Sequence, residues 1–108
     1  MPYPPRAEFI EAPAFSRLVH HYLSEEEYAA LQWALVLRPD AGTVIPGSGG
    51  VRKLRWAGSG RGKRGGLRVI YYWRTQAGQI WLLTLYAKNE AASLPTSALR
   101  ALREEIER

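Results

Sequence analysis

Two apolar runs, Leu67 to Arg74 and Gln79 to Ala87, stand four residues apart and fix most of what this chain can become. The first is dense in Val, Ile, Tyr and Trp, the residues that fit a pleated, half-buried surface. The second is the more apolar, as in a strand covered in part on both faces. Thr75 to Gly78 is a short turn between them. Val51 to Ala57 alternates, with Val51, Lys53 and Arg55 on one side and Arg52, Leu54 and Trp56 on the other. Three consecutive strands of this kind predict an antiparallel meander.

The remaining segments supply helices. Arg6 to Ala12 alternates weakly, as a first strand with Phe9 and Ile10 on opposite faces. Pro13 suits a first helical turn, and Phe15, Leu18, Val19 and Tyr22 follow at helical spacing. Ser24 with Glu25, Glu26 and Glu27 is a capping-box signature opening a second helix, which Pro39 stops near Leu37 or Arg38. Asp40 to Gly50 reads as a loop, and Gly58 to Gly66 as a flexible basic turn. Leu94 to Arg108 reads as a charged helix with Leu94, Leu99, Leu102 and Ile106 as its apolar positions. The expectation is an α+β domain in the order β-α-α-β-β-β-α, its helices packed on one face of an antiparallel sheet. At 108 residues the chain fits a single domain, 1–108, with residues 1–5 as a loose tail.

A hydrophobic fraction of 46% argues against disorder. The chain has no Cys, which rules out disulfides and thiolate metal sites and suits a reducing cytosol. No apolar run approaches the ~20 residues that span a bilayer. Met1 to Arg6 has no apolar signal core, so a cytoplasmic protein without a membrane partner is expected.

Charge is distributed more tellingly than its total of +5 suggests. No Asp or Glu occurs between Ala41 and Asn89, while Arg52, Lys53, Arg55, Arg61, Lys63, Arg64, Arg68, Arg74 and Lys88 all do. So one-sided a block repels itself and suits a polyanionic partner, with nucleic acid the default. Metal catalysis finds no ligand cluster, because His20 and His21 are adjacent and diverge by about 100° on a helix. Neither a cofactor nor a metal is expected. Gly58 to Gly66 lacks the spacing of a phosphate-binding P-loop.

A site made of cations is the remaining option. Arg and Lys bind phosphate and stabilise charge that develops on a phosphorane-like transition state. RNA brings its own nucleophile, the 2′-OH. Lys53 and Arg55 share a strand face, Arg68 opens the next strand, and a tight Gly65–Gly66 approach brings the three together. Crowded cations lower a lysine pKa, which suits Lys53 as a proton acceptor. The alternative from the same residues is that each cation holds phosphate and nothing reacts. Tyr86, near a strand end with Lys88 two residues on, is the aromatic best placed to meet a base.

Three segments together resemble a known family: Gly47-Ser48-Gly49-Gly50-Val51-Arg52-Lys53-Leu54-Arg55, Gly60 to Tyr72, and Leu82 to Glu90. They are similar to the RelE/ParE superfamily of bacterial toxins and to its HigB-like branch, as is Tyr22 to Tyr28. The resemblance implies a RelE-like fold and a type II toxin that cleaves mRNA in the ribosomal A site by metal-free 2′-OH attack. It implies catalytic roles for Lys53, Arg55, Arg68 and Tyr86. It implies RNA or ribosome contacts for Arg52, Arg61, Lys63, Arg64, Arg74 and Lys88. Its partners would be the ribosome, mRNA and a cognate helix-turn-helix, HigA-like antitoxin, with promoter DNA bound only through that antitoxin. The alternatives are a ParE-like inhibitor of DNA gyrase, which shares the fold, and a non-catalytic RNA-binding module. The clustered cations favour the nuclease.

Overall fold

The structure, a computed structural model, describes residues 7–57, 66–90 and 94–108. Strand β1 (Glu8–Glu11) leads into α1 (Pro13–Tyr22) and α2 (Glu25–Leu37). Then come β2 (Thr43–Val44), β3 (Arg52–Trp56), β4 (Leu67–Arg74), β5 (Gln79–Ala87) and α3 (Thr96–Ile106). Helix α1 begins on Pro13, whose ring presets φ and whose missing N–H costs nothing in a first turn. At α2 the capping box is complete: Ser24 Oγ accepts from Glu27 N, and Glu27 Oε1 accepts from Ser24 N. Helix α3 starts at Thr96 rather than Leu94, because Pro95 holds the residue before it out of the helical region.

The five strands lie in the order β1-β5-β4-β3-β2. The meander β3-β4-β5 is antiparallel as expected. Two features differ from the expectation. The sheet is mixed, since β1 runs parallel to β5 with Phe9 beside Ile80. The loop after α2 also contributes β2, which pairs antiparallel with β3 at Thr43–Lys53 and Val44–Arg52. A two-residue strand leaves no periodicity to read; β3 recruits it, since an edge backbone needs partners.

The helices do not share one face, a third difference from the expectation. Helices α1 and α2 bury Phe15, Val19, Leu31 and Leu35 against Leu67, Val69, Tyr71, Ile80, Leu82 and Leu85. Helix α3 lays Leu99 and Ile106 on the opposite face, over Val51, Ile70, Tyr72 and Leu83. The apolar parity of β4 and β5 demands this. Buried side chains alternate across the sheet, so both faces need a cover. A bulge assists: Ile70 pairs with Thr84 and Tyr71 with Leu82, so Leu83 is the extra residue and packs toward α3. Among the described residues, no helix is long and apolar enough to cross a membrane.

Buried Tyr71 ties the sheet to the chain after α2. Its hydroxyl accepts from Gly42 N at 2.8 Å and donates to Pro39 O at 2.7 Å. Burial is the main reason its pKa is raised. At the far end of β4, Tyr72 donates to Glu107 and Arg74 Nε pairs with Glu107 at 3.4 Å, which fastens the end of α3.

Candidate nucleic-acid interface

Residue parity on β3 sends Leu54 and Trp56 into the α1–α2 core. Lys53 and Arg55 are thereby turned to the other face, where both are exposed. Register then does the assembling. Arg55 lies directly opposite Arg68, and Arg68 directly opposite Tyr86. Lys53 stands two residues along β3 from Arg55, opposite Ile70, which in turn opposes Thr84. Neighbouring strands are about 4.8 Å apart, so Arg55, Arg68 and Tyr86 form a row about 10 Å wide. Helix α3 covers the Tyr72 half of this face and leaves the row at the other end. Arg68 and Tyr86 are half-buried, with Tyr86 seated against the α3 core.

Two tight features hold the row's end of the sheet. Gly66, at φ +65°, passes so close to β3 that a Cβ there would lie 2.4 Å from Trp56 O. Only glycine fits, which fulfils at Gly66 the close approach expected from sequence; Gly65 lies outside the described residues. Gly66 O also accepts from Lys88 N at 3.3 Å. The second feature is Glu90. It accepts from Ala87 N at 3.0 Å and from the Tyr22 hydroxyl, so the chain after Tyr86 is tied to the end of α1. The Tyr22 bond, then the Ala87 N–H, hold the Glu90 carboxyl below its usual range. Burial, then the Glu90 contact, push the Tyr22 phenol up to about 12. In the sequence Glu90 carries no role beyond closing the Leu82 to Glu90 segment. Its spacing of three from Ala87 was the available signal.

Lys53, Arg55, Arg68 and Tyr86 thus occupy neighbouring register positions on one face of the sheet. Lys88 is exposed just beyond β5 at the same end. Arg52 and Arg74 do not join them. Arg52 sits on the other side of β3, where its guanidinium donates to Gly42 O at 2.7 Å and Asp40 O at 3.3 Å. Arg74 is six residues along β4 from Arg68, about 20 Å away, and is engaged by Glu107 and Gln79. Arg61, Lys63 and Arg64 lie outside the described residues. His20 and His21 are exposed in the last turn of α1. Among the described residues, no three His, Asp or Glu side chains gather as a metal-ligand set.

Chemically, the row offers guanidinium donors, an ammonium and a phenol, and the three strands that carry it hold no Asp or Glu. Arg55 directly opposite Arg68 brings two guanidinium groups to one face of the sheet. No family model matches the chain.

Proposed function

We propose that the protein is an endoribonuclease of the ribosome-dependent, RelE-like kind, the toxin of a type II toxin–antitoxin pair. The observation that carries this reading is the cross-strand row Arg55–Arg68–Tyr86 with Lys53 beside it. A phosphodiester is the anion such a row suits. In the proposed reaction the 2′-oxygen bonds to phosphorus and the bond to the 5′-oxygen breaks. Arg68 and Arg55 stabilise the charge that builds on the phosphoryl oxygens. Lys53 takes the 2′-OH proton, and the Tyr86 phenol supplies one to the departing oxygen. The products are a 2′,3′-cyclic phosphate and a free 5′-hydroxyl.

The test is brief induction in bacteria, with mRNA 5′ ends and DNA breaks mapped in the same cells. New 5′ ends inside translated frames, abolished when translation is blocked, are the expected result. Intact messages with DNA breaks would replace this reading with gyrase inhibition. Neither signal would leave a binding module.

A further inference from the structure

The turn after β5 is fastened at more points than a reversal of the chain requires. Ala87 O accepts from Glu90 N at 2.9 Å, so the chain turns over Ala87–Glu90 with Lys88 and Asn89 at its centre. Lys88 N donates to Gly66 O, which ties the turn to the residue just ahead of β4. The Glu90 side chain adds two more bonds. Its Oε1 accepts from Ala87 N at 3.0 Å and from the Tyr22 hydroxyl. Tyr22 stands 68 residues earlier in the chain, at the end of α1. One carboxylate oxygen thus joins a helix end, a strand end and a turn.

The sheet explains why a side chain is used there. Strand β1 pairs with β5 only over Gln79–Leu82. Ala87 lies past that pairing, and Glu90 supplies its N–H with the acceptor that β1 no longer can. What the turn carries belongs to the row. Tyr86 precedes it and lies opposite Arg68, and Lys88 is exposed at its centre. Strand ends fray unless they are held, and a misplacement of about 1 Å can cost a reaction about 100-fold in rate.

Glu90 is also the first carboxylate after Tyr86 in the chain, and so the obvious acid to cast as a proton acceptor. Its contacts point elsewhere. Two donors converge on one oxygen, and a carboxylate engaged in this way is a weaker base than a free one.

We propose that Tyr22 and Glu90 are positioning residues, which hold Tyr86 and Lys88 in place beside Arg55 and Arg68 and exchange no proton with the substrate. The inference rests on the reading of the row as an RNA-cutting site, but the tie itself can be measured without RNA.

The experiment compares Glu90→Ala, Glu90→Gln and Tyr22→Phe with the wild-type chain, with a melting curve for each. One measurement is the rate of mRNA cleavage on programmed ribosomes as a function of protein concentration, which separates kcat from KM. The other is amide exchange at Ala87 and Lys88. Glutamine keeps an oxygen able to accept from both donors, so Glu90→Gln should cleave within about threefold of wild type and keep the Ala87 amide protected. Glu90→Ala should lose about tenfold or more in kcat, with KM changed less. Its Ala87 amide should exchange about tenfold faster. Tyr22→Phe should fall between the two. Cleavage lost equally in Glu90→Gln and Glu90→Ala, with Ala87 still protected in the former, would make Glu90 a proton-transfer residue and overturn the proposal. So would full cleavage by Glu90→Ala, or a loss that only follows the fraction unfolded in the melts. A folded wild-type chain that leaves mRNA uncut would instead refute the nuclease reading. The exchange rates then decide the tie alone, and unchanged protection of Ala87 in Glu90→Ala would remove it.

Discussion

Substituting Gly66 by Ala tests how the β3–β4 junction is built, and Gly78→Ala supplies its internal control. Both glycines have left-handed φ, +65° and +64°. Holding alanine there costs about 1–2 kcal/mol, offset by about 0.4–1 kcal/mol from the stiffer unfolded chain. A Cβ at Gly78 meets nothing within 4 Å, so that substitution carries the conformational cost alone, about 1 kcal/mol. A Cβ at Gly66 lies 2.4 Å from Trp56 O and 2.9 Å from Ala57 Cα, and backbone cannot swing aside as a side-chain tip can. Overpacking adds about 1–3 kcal/mol, for a total near 2–4 kcal/mol. With 108 residues and about 2.1 cal/mol/K per residue, the unfolding entropy is about 0.23 kcal/mol/K. Gly78→Ala should then lower Tm by about 4 °C and Gly66→Ala by about 9–17 °C. Circular-dichroism melts of the two variants decide the matter. Equal losses would show that the close approach of Gly66 to Trp56 carries no energetic weight.

Other outcomes follow from the same structure. Arg68→Ala should fold and lose RNA cleavage by about 30- to 1000-fold, the equivalent of 2–4 kcal/mol of transition-state stabilisation; undiminished cleavage would remove Arg68 from the mechanism. Arg52→Ala should lower stability by about 1.5–3 kcal/mol, because it frees the carbonyls of Asp40 and Gly42. The salt dependence of RNA binding separates cations of the row from Arg52: Arg55→Ala should reduce the slope by about 1, and Arg52→Ala should leave it unchanged. Glu11 is held below its ordinary value of 4.5, first by the Ser16 hydroxyl and then by Tyr28. A lowered folded-state pKa means that the unfolded chain binds more protons in this window. Stability should therefore fall as pH drops below about 4.5, and Glu11→Gln should flatten that slope in pH-dependent melts.

Much of this fold is written locally. The bounds of α1, β4 and β5 follow from Pro13, from the Val, Ile, Tyr and Trp density of β4, and from the turn at Thr75–Gly78. The capping box at Ser24 and Glu27 marks the start of α2 without reference to anything distant. The alternation of β3 places Lys53 and Arg55 on one face, because side-chain direction along a strand is a property of the strand itself. Arg52 shows where that reading stops. Sequence counts it among the phosphate-binding cations, yet its guanidinium is spent on two backbone carbonyls of a loop that only the folded chain brings near.

By itself, the sequence determined the meander, the helix caps and the acid-free basic block, since each depends on neighbours a few residues away. Tertiary structure decided the rest. Register set Arg55, Arg68 and Tyr86 side by side. Parallel pairing put β1 beside β5. The two-faced parity of β4 and β5 sent α3 to the side away from α1 and α2, where it packs beside Tyr86 and leaves Lys53 and Arg55 exposed. These are long-range choices, fixed by which surfaces must be buried together, and no local pattern of residues encodes them.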